Sequence, residues 1–145
     1  MKYRQGSIGR VFVAKLEHGD DFLAEVKKLA VQENIRSATF FMIGALRSAS
    51  TVVGPQEPVL PPEPVWRRFD DARELVGVGT IFSDGGEPLI HVHAAFGKGD
   101  GTLMGCIRSG TEVYLVLEVI ILEIAGTGAK RMFDEKLNLK VLEFD

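Results

Sequence analysis

Pro88-Leu89-Ile90-His91-Val92-His93-Ala94-Ala95-Phe96-Gly97-Lys98-Gly99-Asp100-Gly101-Thr102-Leu103-Met104-Gly105-Cys106-Ile107-Arg108 is the stretch on which the reading of this chain turns. Two apolar runs, Leu89–Phe96 and Thr102–Arg108, flank a glycine-rich turn, the pattern of a β-hairpin. Successive strand side chains point to opposite faces, so His91 and His93 stand together on one face. The position of Cys106, the only cysteine, depends on the turn. A two-residue turn at Gly99-Asp100 pairs Lys98 with Gly101 and sets His93 opposite Cys106. A two-residue turn at Asp100-Gly101 sets Ala95 opposite Cys106, with His93 on its diagonal. Both are favoured, because glycine supplies the positive φ they need. In either register the three side chains share a face, with Cβ atoms about 5 Å apart when opposed and about 7–8 Å on the diagonal. An unbulged three-residue turn would send Cys106 to the other face.

Two imidazoles and a thiolate converging over that span suit Zn²⁺, which accepts nitrogen and sulfur, and three protein ligands leave a fourth position open. The competing reading makes His91 and His93 ordinary strand residues and Cys106 a small buried hydrophobe.

Working outward, Ile8–Leu16 is β-branched and aromatic and reads as a strand. Glu17-His18-Gly19-Asp20 is a turn with Asp20 as helix N-cap. Residues Asp21–Gln32 form a helix with Phe22, Leu23, Val26, Leu29 and Ala30 on one face at 3.6-residue spacing. Asn34 stops it in a left-handed conformation. His18 beside it reads as a surface residue. Ser37–Leu46 is a strand apolar on both faces, with Gly44 marking a bulge or close approach. Ser50–Gly54 is a short strand. Residues Pro55–Pro64 hold five of the six prolines and form an extended surface loop. A strand over Glu74–Phe82 and the turn Ser83-Asp84-Gly85-Gly86 lead into the central hairpin. A long strand follows over Glu112–Ile124, then the turn Gly126-Thr127-Gly128 and a last strand near Leu137–Phe144.

These elements predict one α/β (α+β) domain over residues 1–145: a mainly antiparallel sheet of about six to seven strands with one main helix packed on it. The strand Glu112–Ile124 is apolar on both sides, with Val113, Leu115, Leu117, Val119 and Ile121 on one face and Tyr114, Val116, Ile120, Leu122 and Ile124 on the other. Such a strand must be covered on both faces. A helix of about a dozen residues is only about 18 Å long and cannot cover both. Another copy of the chain is therefore expected to supply the cover.

The 145 residues, 46% hydrophobic and 26% charged, have an ordinary globular balance. A net charge of -3 provides no field to attract nucleic acid. A single cysteine excludes an internal disulfide, the start lacks a signal-peptide core, and no segment is apolar enough to span a bilayer. A cytoplasmic protein without membrane attachment is expected. Other patterns are weaker. Gly97–Gly101 has the composition of a phosphate loop without Walker spacing or a following helix. No Gly-x-Ser-x-Gly elbow is present. Glu118 and Glu123 read as paired or solvated carboxylates, and Arg47, Arg67 and Arg68 as a modest basic surface.

The chain resembles the PPC domain (DUF296), found alone in prokaryotes and fused to AT-hooks in plant nuclear proteins. The resemblance spans nearly the whole chain: the first strand and helix, Ile43-Gly44-Ala45-Leu46, and above all His91-Val92-His93, the Asp100-Gly101 turn and Met104-Gly105-Cys106. The family usually shows His-x-His, an Asp-Gly turn, then Gly-Gly-His. Here Met104 replaces the first glycine and Cys106 stands at the third histidine, a change that keeps a zinc ligand while adding negative charge. The resemblance implies a homotrimer and, in some prokaryotic members, a metal site, here His91, His93 and Cys106. It supplies no activity for stand-alone members.

Three functions follow. The first is a zinc-binding homotrimeric module that acts by binding an unidentified protein or small molecule. The second is a metal-dependent hydrolase or lyase on a small molecule, with Glu123 as proton shuttle. The third is a DNA-associated protein, against which stand the acidic balance and the missing AT-hook.

Overall fold

The central hairpin forms through the first of the two predicted turns. In the computed structural model, which describes all residues from Met1 to Asp145, Glu87–Lys98 and Gly101–Ser109 are antiparallel strands joined by Gly99-Asp100. Gly99 takes the positive φ of 56° that the turn requires. Lys98 pairs with Gly101, and His93 lies directly opposite Cys106.

In chain order the elements are β1 (Ser7–Glu17), α1 (Phe22–Gln32), β2 (Ser37–Pro55), β3 (Pro64–Asp84), β4 (Glu87–Lys98), β5 (Gly101–Ser109), β6 (Val113–Ala125), β7 (Ala129–Asp134) and β8 (Leu139–Phe144). The strands form one sheet, and the chain is the mainly antiparallel, one-helix fold that the pattern predicts. The pairings β2–β3, β3–β4, β4–β5 and β5–β2 close on themselves. Strand β6 extends the sheet from the first half of β2, with β1 beyond it, and the β7–β8 hairpin joins β3 by one parallel bridge, Ser83 with Lys130.

Apolar burial fixes which side of the sheet is the core. Phe22, Val26 and Ala30 of α1 are buried with Phe40, Met42, Ile81, Val92, Ala94, Phe96, Leu117, Val119 and Ile121 of the strands. Each of these strand residues has outward-facing neighbours, so His91 and His93, flanking buried Val92, face away from the helix. Gly79 pairs with Phe40 and makes room for its ring, since a Cβ there would lie 2.1 Å from Phe40 Cζ. Gly44 is a close approach: at φ 139° its Cβ would meet the Val116 carbonyl at 2.3 Å.

Several expected boundaries move. Asp21, not Asp20, caps the helix, accepting from the Ala24 amide at 2.9 Å. Asp20 closes the preceding turn by accepting from the Glu17 amide. Asn34 is left-handed as expected, at φ 53°. The two strands expected within 37–54 are one 19-residue strand. Strand β3 is 21 residues long because Trp66–Phe69 pairs with Ala49–Val52. The sheet has eight strands rather than six or seven, because the last expected strand, β8, is joined by an unexpected β7 in a hairpin. Its turn contains no glycine; Asp134 Oδ1 accepts from the amides of Lys136 and Leu137. Leu115 is exposed at φ 62° rather than in the inner file. Its amide donates to His18 Nδ1 at 3.2 Å, so that histidine anchors a strand irregularity. No helix is long and apolar enough to cross a membrane.

The second face of the sheet is apolar and bare. Register places Val13, Ile120, Phe41, Val78, His93 and Cys106 in one file across β1, β6, β2, β3, β4 and β5. Val13 is 79% exposed, Val78 51% and Phe41 48%. Ile43, Val76 and Met104 extend the patch alongside.

Candidate metal centre

The file of outward-facing residues ends at two of the three predicted ligands, His93 and Cys106, with His91 alongside. Strand β4 presents His91 and His93 by simple alternation, and β5 brings Cys106 opposite His93. On the other side β3 pairs Thr80 with His91 and Val78 with His93. The two Nε2 atoms are 3.2 Å apart, with the rings edge to face. One ligand atom from each of His91, His93 and Cys106 lies within 4.8 Å of the others.

Those distances can be set against a zinc polyhedron. With Zn–N of about 2.0–2.1 Å and Zn–S of about 2.3 Å, a tetrahedral centre separates two nitrogens by about 3.3 Å and nitrogen from sulfur by about 3.6 Å. The nitrogen–nitrogen edge is already in place. The sulfur closes by a side-chain adjustment of roughly an ångström. The donor set therefore fits a borderline-soft divalent ion, and Asp and Glu contribute nothing to the group.

Charge at the centre is one-sided. Burial, then the positive Arg131, His93 and Arg108, holds His91 down to about 4, which keeps its imidazole neutral and able to ligate. Burial pushes the Cys106 thiol up, against the opposing pull of Arg108 and Arg131, so a bound cation would take the place of its proton. Arg131, on β7, donates to Thr80 Oγ1 at 3.1 Å and lies 3.4 Å from His91 Nδ1. Its guanidinium also stacks over Phe82. Arg131 and Thr80 escape sequence reasoning, because only the pairing of β7 with β3 brings a residue 40 positions away onto His91.

Glu123, expected as a proton shuttle, is elsewhere. It pairs with buried Ala38 on the helix side of the sheet, and Arg10 grips its carboxylate at 2.9 and 3.0 Å. That ion pair holds Glu123 below the usual carboxylate range. Gly97–Gly101 is a hairpin turn and no phosphate loop. Arg47 is paired with Asp70 and Glu112.

A pH dependence follows from His91. The folded chain holds it near 4 against 6.5, so between those values the unfolded chain binds a proton that the folded chain does not. Stability of the metal-free protein should therefore fall as pH falls through that window. Discounting for partial exposure, the loss from pH 7 to 4.5 is about 1–2 kcal/mol larger in the parent chain than in His91→Gln. Urea unfolding in chelator at the two pH values measures the difference, and equal losses would contradict it.

The profile of the Plants and Prokaryotes Conserved (PCC) domain matches residues 3–125. The chain belongs to the PCC family. A comparison with curated proteins returned no match. Among solved structures, a metal-containing protein from Archaeoglobus fulgidus superposes with a TM-score of 0.85 at 25% identity, covering 97% of this chain and 98% of that one. A plant- and prokaryote-conserved protein from Pyrococcus horikoshii gives 0.85 at 22% identity, covering 100% and 99%. A candidate DNA-binding protein from Ralstonia eutropha JMP134 gives 0.77 at 24% identity, covering 92% and 90%. The last two establish likeness of fold. In this PCC chain the strands that carry the three ligands lie inside the matched segment, while β7 with Arg131 lies beyond it.

Proposed function

We propose that the chain is a zinc-binding homotrimeric PCC module, cytoplasmic, and that it acts by binding a partner or small molecule at or beside its metal. The observation that carries this reading is the convergence of His91, His93 and Cys106, with a nitrogen–nitrogen edge of 3.2 Å. The metal content of the Archaeoglobus relative supports it. Bound there, zinc would cross-link β4 to β5 and offer one Lewis-acidic position.

Self-association rests on the apolar face. A folded monomer of 15.9 kDa exposes roughly 7,400 Å². This chain exposes 8808 Å², about a fifth more, with Val13, Phe41, Val78 and Ile120 in the open. Further copies of the chain are the natural cover, three being the number the family resemblance implies. The hydrolase or lyase reading lacks a general base, since no carboxylate joins the cluster. Against the DNA-associated reading stands a net charge of -3.

Zinc that stabilises a module should be missed when it is removed. Binding at about a thousandfold above Kd contributes about 4 kcal/mol, so chelation should lower Tm by about 10 °C. An unchanged Tm after complete zinc removal would sink the structural role.

A further inference from the structure

Arg131 is an uncompensated cation at the metal centre. Arg10, Arg47 and Arg73 each hold a carboxylate. Arg131 instead contacts a hydroxyl, a backbone carbonyl and an imidazole, and its Nε–H is buried with no acceptor. Arg108, two residues beyond Cys106 on β5, adds a second positive charge that helps hold His91 down and opposes the rise of the Cys106 thiol. No carboxylate joins them.

Ligation sharpens the imbalance. An imidazole that holds a metal through Nε2 carries its proton on Nδ1. Arg131 Nη2, 3.4 Å from His91 Nδ1, would then face a donor and need another acceptor. A divalent ion, one thiolate and two guanidiniums sum to three positive charges in a half-buried site. The missing component is an anion with oxygens that can meet both a guanidinium fork and an open metal position.

Resting on the zinc reading above, we propose that Arg131 and Arg108, with the open position of the metal held by His91, His93 and Cys106, form a binding site for a small oxyanion, a carboxylate or a phosphate. Arg131 is the positioning residue that sets this preference, and it comes from the hairpin beyond the matched family segment.

Cobalt substituted for zinc makes the test optical. The Co²⁺-loaded protein is titrated with inorganic phosphate and with acetate, against chloride at equal ionic strength. The visible Co²⁺ bands should shift saturably with one or both oxyanions, and which one responds identifies the class. Arg131→Met should weaken that response by about tenfold or more while binding Co²⁺ at least as tightly as the parent, since a repelling charge is gone. Arg131→Lys should recover part of the response. Bands unmoved by either anion overturn the oxyanion site and leave the metal reading intact. Failure to bind Co²⁺ overturns both. An anion response unchanged in Arg131→Met overturns the role of Arg131.

Discussion

Cys106→Ala should keep the fold and lose zinc. Removing the sulfur from a small buried side chain costs the core little, about 1 kcal/mol. The metal loses its only anionic ligand. Deleting a group that merely orients a ligand lowers metal affinity by about 10–100-fold, so deleting a ligand itself should cost at least about a hundredfold. Cys106→His, which restores the residue usual in the family pattern, should retain zinc, because the position faces His93 across the hairpin whatever donor it carries. Competition with a zinc indicator measures all three proteins. Equal affinity in the parent and Cys106→Ala would remove Cys106 from the site.

Phe41→Glu should turn the proposed trimer into a monomer. Phe41 sits mid-file between Ile120 and Val78 and is 48% exposed. If neighbouring copies cover that face, the variant must bury an unpaired carboxylate in every subunit, at several kcal/mol each. The same change in the isolated chain costs little, since the side chain is already half in water. Val31→Glu, on the exposed side of α1 with Val31 at 56%, is the control and should leave assembly unchanged. Sedimentation at micromolar concentration distinguishes them. A Phe41→Glu chain that still sediments as a trimer would place the interface elsewhere. The monomeric variant should still bind zinc, because all three ligands come from one hairpin.

The hairpin was legible because parity is arithmetic: a two-residue turn between alternating runs leaves few registers, and both kept Cys106 with the histidines. Apolar spacing likewise read α1 and the two-faced β6. What escaped was set by contacts distant in sequence. The extensions of β2 and β3 depend on pairing with each other through Trp66–Phe69. Strand β7 went unread because the turn after it holds no glycine and is closed by the Asp134 side chain. Glu123 was misplaced because a strand with both faces apolar does not announce which side meets the helix. Arg131 reaches His91 only once β7 has docked on β3.

Native mass spectrometry of the purified protein tests the metal-bound assembly in one spectrum, since mass reports chains and metal together. The expected result is a complex of three chains carrying three zinc ions, one per His91–His93–Cys106 set. A metal-free single chain from zinc-replete buffer would contradict it.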